Sequence, residues 1–176
     1  MSQHKYIMGL LHKFHMTECE PVPTPQAKSA ELQKETTLTP AQIAAQPFDF
    51  RGLVGSLMFL VRGKRPDIAN AVRELSKFLS CCNKMHYRAA QSVLKYLKGT
   101  STYGLLYDGM KKEIAYELYT AGSFGNTNEQ SRLVTGYVSI MAQSFITWRC
   151  AKQDTVSVNT PQSELIAPRE GVKENE

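Results

Sequence analysis

Apolar residues recur with helical spacing in four stretches of the first hundred residues. The first stretch runs from Gln3 to Phe14, with histidines and lysines on its polar side. The second runs from Phe48 to Val61, the third begins at Pro66, a residue that suits the first turn of a helix, and the fourth runs from His86 to Leu97. The pattern predicts one amphipathic helix and then three short helices that pack as a small bundle.

The region between the first and second stretches lacks apolar periodicity. Three prolines in residues 19–25 favour an extended polyproline conformation and forbid a helix. Residues 26–47 are mostly small and polar, so we expect a loop or linker there.

After Thr100 the period changes from helical to alternating. Alternation is typical of strands, and we expect short strands at 103–107, 114–119, 133–142, 145–150 and 155–158. In the third of these, Val134, Val138, Ile140 and Ala142 share one face. Thr160 followed by Pro161 predicts the start of a final helix. The fold class is therefore α+β, a small helical segment followed by an antiparallel sheet with one terminal helix.

The charges are unevenly distributed along the chain. The 176 residues have a formal net charge of +5, but residues 51–100 hold ten basic and two acidic side chains. Charge gathered in this way is typical of a surface that binds a polyanion. On the fourth predicted helix, residues four and three apart form a row that could follow a phosphate backbone, namely Lys84, Arg88, Gln91, Lys95 and Lys98. A solvated helix face would show the same spacing, so both interpretations stay open.

Other sequence features exclude some classes of protein. No run of about 18 apolar residues exists, and the N-terminus is too polar for a signal peptide, so we expect an intracellular protein, cytoplasmic or nuclear, without membrane contact. The four cysteines form no Cys-x-x-Cys pair. His12, His15 and Cys19 could be imagined as metal ligands, but packing or surface roles are favoured.

Several strings resemble copia-type retrotransposon polyproteins in their order and spacing. Three of them, Arg51–Leu60, Arg65–Ala69 and Val93–Thr100, resemble the C-terminal end of the reverse transcriptase. Later strings resemble the ribonuclease H domain that follows it, namely Gln130–Arg132, Thr135–Val138, Ile146–Trp148, Lys152–Gln153 and Ser163–Ala167. The resemblance divides the chain into an N-terminal helix with a proline-rich linker (1–47), a thumb-like helical segment (48–100) and a truncated ribonuclease H-like domain (101–176).

The resemblance implies that the central helices grip a nucleic-acid duplex. Together with the charge distribution, it leads us to expect low-specificity phosphate contacts to duplex DNA or RNA–DNA hybrid from Arg65, Lys84, Arg88, Lys95 and Lys98. It also implies that the polymerase palm, with its metal-binding aspartates, lies outside this chain, so that nucleotide addition is excluded.

Ribonuclease H chemistry needs a cluster of carboxylates around two divalent metals. The resemblance places the first family aspartate at Ala121, and the nearest carboxylate on that strand face, Glu117, is about 13 Å away at about 3.3 Å per residue. Glu164 matches the family's glutamate, but Pro168 interrupts its helix, and the remaining aspartates would follow Glu176. We therefore expect no intact catalytic site and no cofactor, since magnesium would bind only a complete set.

Three functions remain open. A non-catalytic nucleic-acid-binding fragment is favoured, and the alternatives are an active RNA–DNA hybrid ribonuclease and an inactive, decaying fragment or protein-interaction module. A truncated sheet would leave an edge and one face uncovered, so we expect association through that edge, with Ile146 and Trp148 as candidates for exposed apolar surface.

Overall fold

The computed structural model of the protein describes residues 1–26, 32–33, 37–107, 115–123, 132–156 and 172. The chain divides into two compact units, Met1–Gly104 and Leu105–Glu176. Within the described residues, five α-helices lie in the first unit and a three-stranded antiparallel sheet lies in the second. This arrangement confirms the α+β class.

The helices of the first unit follow the apolar periodicity of the sequence. Each predicted stretch is helical to within a few residues, and a short 3₁₀ turn, Pro66–Ile68, precedes the fourth helix. The helices are α1 (His4–Lys13), α2 (Pro40–Ala44), α3 (Phe50–Gly63), α4 (Ala69–Ser76) and α5 (Lys84–Gly99).

Helix α2 corrects the prediction that residues 26–47 form only a loop. The Thr39 hydroxyl accepts a hydrogen bond from the Gln42 N–H at 3.3 Å, and the Gln42 side chain accepts one from the Thr39 N–H at 2.9 Å. This capping box, with Pro40 at the first helical position, starts a helix too short to show apolar periodicity.

One apolar core joins α1, α3, α4 and α5. Ile7 of α1, Leu57 of α3 and Leu94 of α5 are all fully buried in it. The N-terminal helix, which the sequence assigns to the segment 1–47, therefore shares its core with the helices of the segment 48–100. The Gln3 side chain also accepts a hydrogen bond from the Lys64 N–H at 2.8 Å, which ties the start of α1 to the end of α3.

The second unit contains the strands β1 (Tyr116–Ser123), β2 (Arg132–Met141) and β3 (Ser144–Val156), in that spatial order. Ala121 of β1 pairs with Gly136 of β2, which pairs with Cys150 of β3. Ala142 and Gln143 join β2 to β3 with φ angles of 49° and 62°, as a type I′ turn requires.

Three strand predictions need correction. Residues 103–107 form only one isolated bridge, between Gly104 and Ser2, because the chain there returns to its own N-terminus rather than to a strand. Ala142 lies in the turn and not on the face of β2. Residues 145–150 and 155–156 belong to one β3, which pairs with β2 at Ala151, Lys152 and Val156 across a register shift, and residues 157–158 lie outside the described residues.

Other predictions for this unit have mixed outcomes. Ile146 is exposed, whereas Trp148 is half-buried. The predicted terminal helix at 161–167 lies outside the described residues. Association through a sheet edge stays a prediction.

Candidate nucleic-acid interface

The first turn of α5 is fixed by a reciprocal cap. The Asn83 side chain accepts hydrogen bonds from the backbone N–H groups of Met85 (2.8 Å) and His86 (3.1 Å). The Nδ1 atom of His86 accepts one from the Asn83 N–H at 3.1 Å, so the ring proton lies on Nε2, which donates to the Gln33 carbonyl at 3.1 Å. The buried ring stacks on Phe78 with 4.2 Å between centroids. These contacts hold the start of α5 rigidly on the core.

The basic row of α5 lies on the side of the helix away from its buried residues. The row covers a sector of about 80° and a length of about 21 Å, from 3.6 residues per turn and 1.5 Å per residue. Lys84 and Arg88 are exposed, and Lys95 is half-buried. Helix α5 contains no aspartate or glutamate. The opposite side packs into the core through His86, Ala90, Val93, Leu94 and Leu97.

The C-terminal end of the row is covered by the segment that follows α1. The Lys98 ammonium donates a hydrogen bond of 2.7 Å to the Cys19 carbonyl, and the Gln91 amide lies 3.7 Å from the Met16 sulfur. A phosphate would have to compete with the Cys19 carbonyl for Lys98. The side chains of Lys84, Arg88 and Lys95 form no such bond within the described part of the chain.

Arg65 is buried and is not the surface cation that the predicted phosphate contact requires. Its side chain is 1% exposed. The guanidinium donates to both carboxylate oxygens of Asp67, with a shortest distance of 2.8 Å, and to the carbonyl and hydroxyl oxygens of Thr100 at 3.0 and 2.6 Å. The rings of Tyr96 and Tyr103 lie 5.6 and 5.9 Å from its central carbon. Arg65 therefore holds the loop before α4 against the end of α5.

Asp67 completes this buried network. Burial alone would raise the pKa of its carboxyl, but the hydrogen bonds and positive charge of Arg65, with a hydrogen bond of 2.9 Å from the Tyr96 hydroxyl, hold that pKa below its usual 3.8. Burial of the Tyr96 hydroxyl, together with its hydrogen bond to Asp67 and the charge of that carboxylate, raises the pKa of Tyr96. One indication that Arg65 is paired could be read from the sequence, because Asp67 lies only two residues after it.

A second group of cations also makes contacts within the helical unit. Glu74 of α4 pairs with Arg73 and with Lys77, the latter at 2.6 Å. The Nε atom of Arg51 donates to the Leu79 carbonyl at 3.0 Å. The positive excess of residues 51–100 is therefore only partly available to a ligand.

Known proteins similar to this chain identify its origin. It is 33% identical over 178 residues to the retrovirus-related Pol polyprotein from transposon TNT 1-94 of Nicotiana tabacum, a match of 99% of this chain and 13% of that polyprotein. It is 32% identical over 168 residues to the retrovirus-related Pol polyprotein from transposon RE1 of Arabidopsis thaliana, a match of 93% of this chain and 11% of that one. The chain belongs to the copia-type retrotransposon Pol polyprotein family.

The match is to a small part of each Pol polyprotein, since the chain spans about an eighth of the tobacco relative and a ninth of the Arabidopsis relative. A shorter relative, the secreted RxLR effector protein 161 of Plasmopara viticola, is 34% identical over 123 residues, which is 69% of this chain and 84% of that protein. No protein-family model and no solved structure matches the chain.

In this Pol segment, Ala121 lies on β1 with its side chain exposed and supplies no oxygen ligand. Glu117 is four residues away on the same strand, and its carboxylate accepts a hydrogen bond of 2.7 Å from the Tyr119 hydroxyl, which raises the pKa of Tyr119. The residues at this position do not fit the two-metal site that ribonuclease H chemistry requires. Glu164 lies outside the described residues.

Two further findings concern the described residues alone. No three histidine, cysteine, aspartate or glutamate side chains among them are grouped as metal ligands, so His12, His15 and Cys19 are not brought together as a site. No helix in the described ranges is both long and apolar enough to cross a bilayer.

Proposed function

We propose that this chain is a non-catalytic segment of a copia-type Pol polyprotein that holds a nucleic-acid duplex through Lys84, Arg88 and Lys95. The observation that carries the proposal is the basic row of α5, which is free of carboxylates, accessible and fixed by its cap and core. Such a row can neutralise phosphates without ordering a flexible segment, because the helix is already formed.

The proposal uses fewer residues than the sequence indicates. Arg65 is buried, and Lys98 is bonded to a carbonyl that lies between two exposed carboxylates, Glu18 and Glu20. Three cations remain, and at about −0.9 per neutralised phosphate they give a slope of about −2.7 in a plot of log affinity against log salt concentration. We expect weak binding that does not depend on sequence, since phosphate contacts carry no base information.

The absence of catalysis is proposed from β1. Ala121 lacks a ligand atom, and Glu117, the nearest carboxylate on its strand face, would have to move by about the length of four strand residues, or about 13 Å, to replace it. A labelled RNA–DNA hybrid incubated with the protein and magnesium should stay intact. Cleavage that disappears in the Glu164→Ala variant would overturn this part of the proposal.

Duplex binding is tested with fluorescence anisotropy across a salt series, on duplex DNA and on RNA–DNA hybrid. The test variant replaces Lys84, Arg88 and Lys95 with glutamine. The matched control replaces three cations outside the row, Lys5, Lys64 and Lys77, and so changes the net charge equally. The row variant should lose most of the affinity and flatten the salt slope by about 2.7, while the control keeps most of both. Equal losses in both variants, or no salt-dependent binding at micromolar concentration, would contradict the proposal.

A further inference from the structure

Two aromatic rings lie exposed on the helical unit, on helices that the proposed duplex contact does not use. Tyr6 of α1 and Phe59 of α3 pack against each other with 4.8 Å between ring centroids and 51° between ring planes. Tyr6 is 37% exposed and Phe59 is 57% exposed, and Met58 beside them is 39% exposed. Large apolar side chains gathered at one place on a surface are typical of an interaction site.

The outer side of α3 continues this surface. Five of its residues lie within a sector of about 100°, from 3.6 residues per turn, on the side opposite the buried residues. Gly55 lies inside this sector and in the middle of the helix, where glycine is disfavoured. A methyl group built on Gly55 would meet no atom within 4 Å beyond its chain neighbours and the backbone of its own helix, so intramolecular packing does not require glycine there. The sector contains Arg51, Gly55, Met58, Phe59 and Arg62, and we call it, together with Tyr6, the aromatic face.

The charges around the aromatic face have one sign. Helices α1 and α3 contain no aspartate or glutamate, and their charged residues are Lys5, Lys13, Arg51 and Arg62. The carboxylate of Asp49, at the start of α3, is used by the Gly52 N–H at 2.8 Å. Arg62 is exposed and bonds no other group in the part of the chain that the structure describes. An anionic ligand with flat apolar surfaces matches this combination.

We propose that the aromatic face binds single-stranded nucleic acid, with unpaired bases stacked on Tyr6 and Phe59 and a phosphate bound by Arg62. The bases of a single strand can stack on aromatic side chains whatever their sequence, whereas those of a duplex are already stacked on one another. Open backbone at Gly55 lets a strand approach α3 closely. This inference goes beyond the duplex contact of α5 and does not depend on it.

The test measures anisotropy of a labelled oligo-dT with the full chain. Alanine at Phe59 or at Tyr6 should weaken oligo-dT binding by about 5- to 150-fold, the usual range for loss of one stacked base. The Phe59→Leu variant keeps apolar surface without the ring and should lose binding in the same way. Met8→Ala is the matched control, because Met8 is 41% exposed on α1 but lies outside the ring pair, and it should leave binding unchanged.

Several results would overturn this inference. The inference fails if Phe59→Ala and Phe59→Leu both bind oligo-dT within about twofold of the wild-type affinity. It also fails if Phe59→Leu alone keeps full affinity, because apolar surface without a ring would then be sufficient. Binding to anionic vesicles or self-association that depends on Phe59, while oligo-dT binding does not, would assign the face to a membrane or to a second copy. The variant of the α5 row should lose duplex binding and keep oligo-dT binding. Failure of the duplex proposal can therefore be distinguished from failure of the single-strand proposal.

Discussion

Replacing Asp67 with alanine leaves the Arg65 guanidinium buried without its carboxylate. In the native chain the pair is asymmetric, since the Arg65 side chain is 1% exposed and that of Asp67 is 33% exposed. After the substitution, the two oxygen atoms of Thr100 and the rings of Tyr96 and Tyr103 still face the cation within the described part of the chain. The variant therefore tests how much a partly exposed carboxylate stabilises a fully buried arginine.

The expected loss of stability follows from that asymmetry. Removing one partner of a fully buried ion pair costs about 3–5 kcal/mol, because the other charge stays buried and uncompensated. Asp67 is a third exposed, so water can enter the vacated space and the cost falls to about 2–4 kcal/mol. With a urea dependence of about 1.5 kcal/mol per molar, the unfolding midpoint should fall by about 1–3 M.

The pH dependence gives a second readout. The folded-state pKa of Asp67 is lowered, so the charged carboxylate stabilises the fold above its ordinary pKa of 3.8, and this contribution is lost as the pH falls through the folded value. The free-energy difference between the wild type and Asp67→Ala should therefore be constant at neutral pH and shrink below about pH 4.

The assay is urea unfolding followed by far-UV circular dichroism, because the described helices lie in the unit that contains Arg65 and Asp67. Lys77→Gln, which removes an exposed partner of Glu74, is the control and should cost less than about 0.5 kcal/mol. Adding Arg65→Met to Asp67→Ala should recover part of the loss, since no charge then stays buried. A loss below about 0.5 kcal/mol for Asp67→Ala, or an equal loss at pH 3 and pH 7, would refute the reasoning.

Three further stability predictions concern two glycines and a buried hydroxyl. Gly9→Ala should stabilise the helical unit by about 0.5–1 kcal/mol in the same urea assay, because the new methyl group meets no atom within 4 Å, whereas Gly52→Ala should destabilise it because its methyl group collides with the N-cap carboxylate. Ser139→Ala should destabilise the sheet by about 1–3 kcal/mol, since it removes the buried hydroxyl bonded to Thr147 at 2.7 Å. Fluorescence of Trp148 is the measurement, and an unchanged midpoint would contradict the assigned bond.

The helical unit could be predicted largely from the sequence because its helices are long enough for apolar periodicity to repeat. Helix α2 was missed because five residues complete little more than one turn, although Thr39, Pro40 and Gln42 held a capping signal. The sheet was harder to predict. Residues 103–107 alternate like a strand, but strand formation depends on a distant partner, and the partner of Gly104 is a single residue, Ser2.

The candidate site shows a different limit of sequence reasoning. Helical spacing places Lys84, Arg88, Lys95 and Lys98 on one face, and the structure agrees, but spacing along a single helix cannot show that the Cys19 carbonyl lies beside Lys98. The burial of Arg65 was missed for the same reason, since its partner Thr100 is 35 residues away. Formal charge can be read from the sequence, whereas the environment of each charge depends on tertiary contacts.

This difference can be measured, because the salt dependence of binding counts the phosphates that a protein neutralises. If all ten basic residues of the segment 51–100 acted on phosphates, the slope would be about −9. Five of these cations make internal contacts and two, Arg62 and Lys64, lie outside the row, so that the accessible row of α5 alone gives about −2.7. A duplex-binding slope near −3 would support the assignment of the contact to Lys84, Arg88 and Lys95, whereas a slope near −9 would mean that the internal bonds of the other cations open when nucleic acid binds.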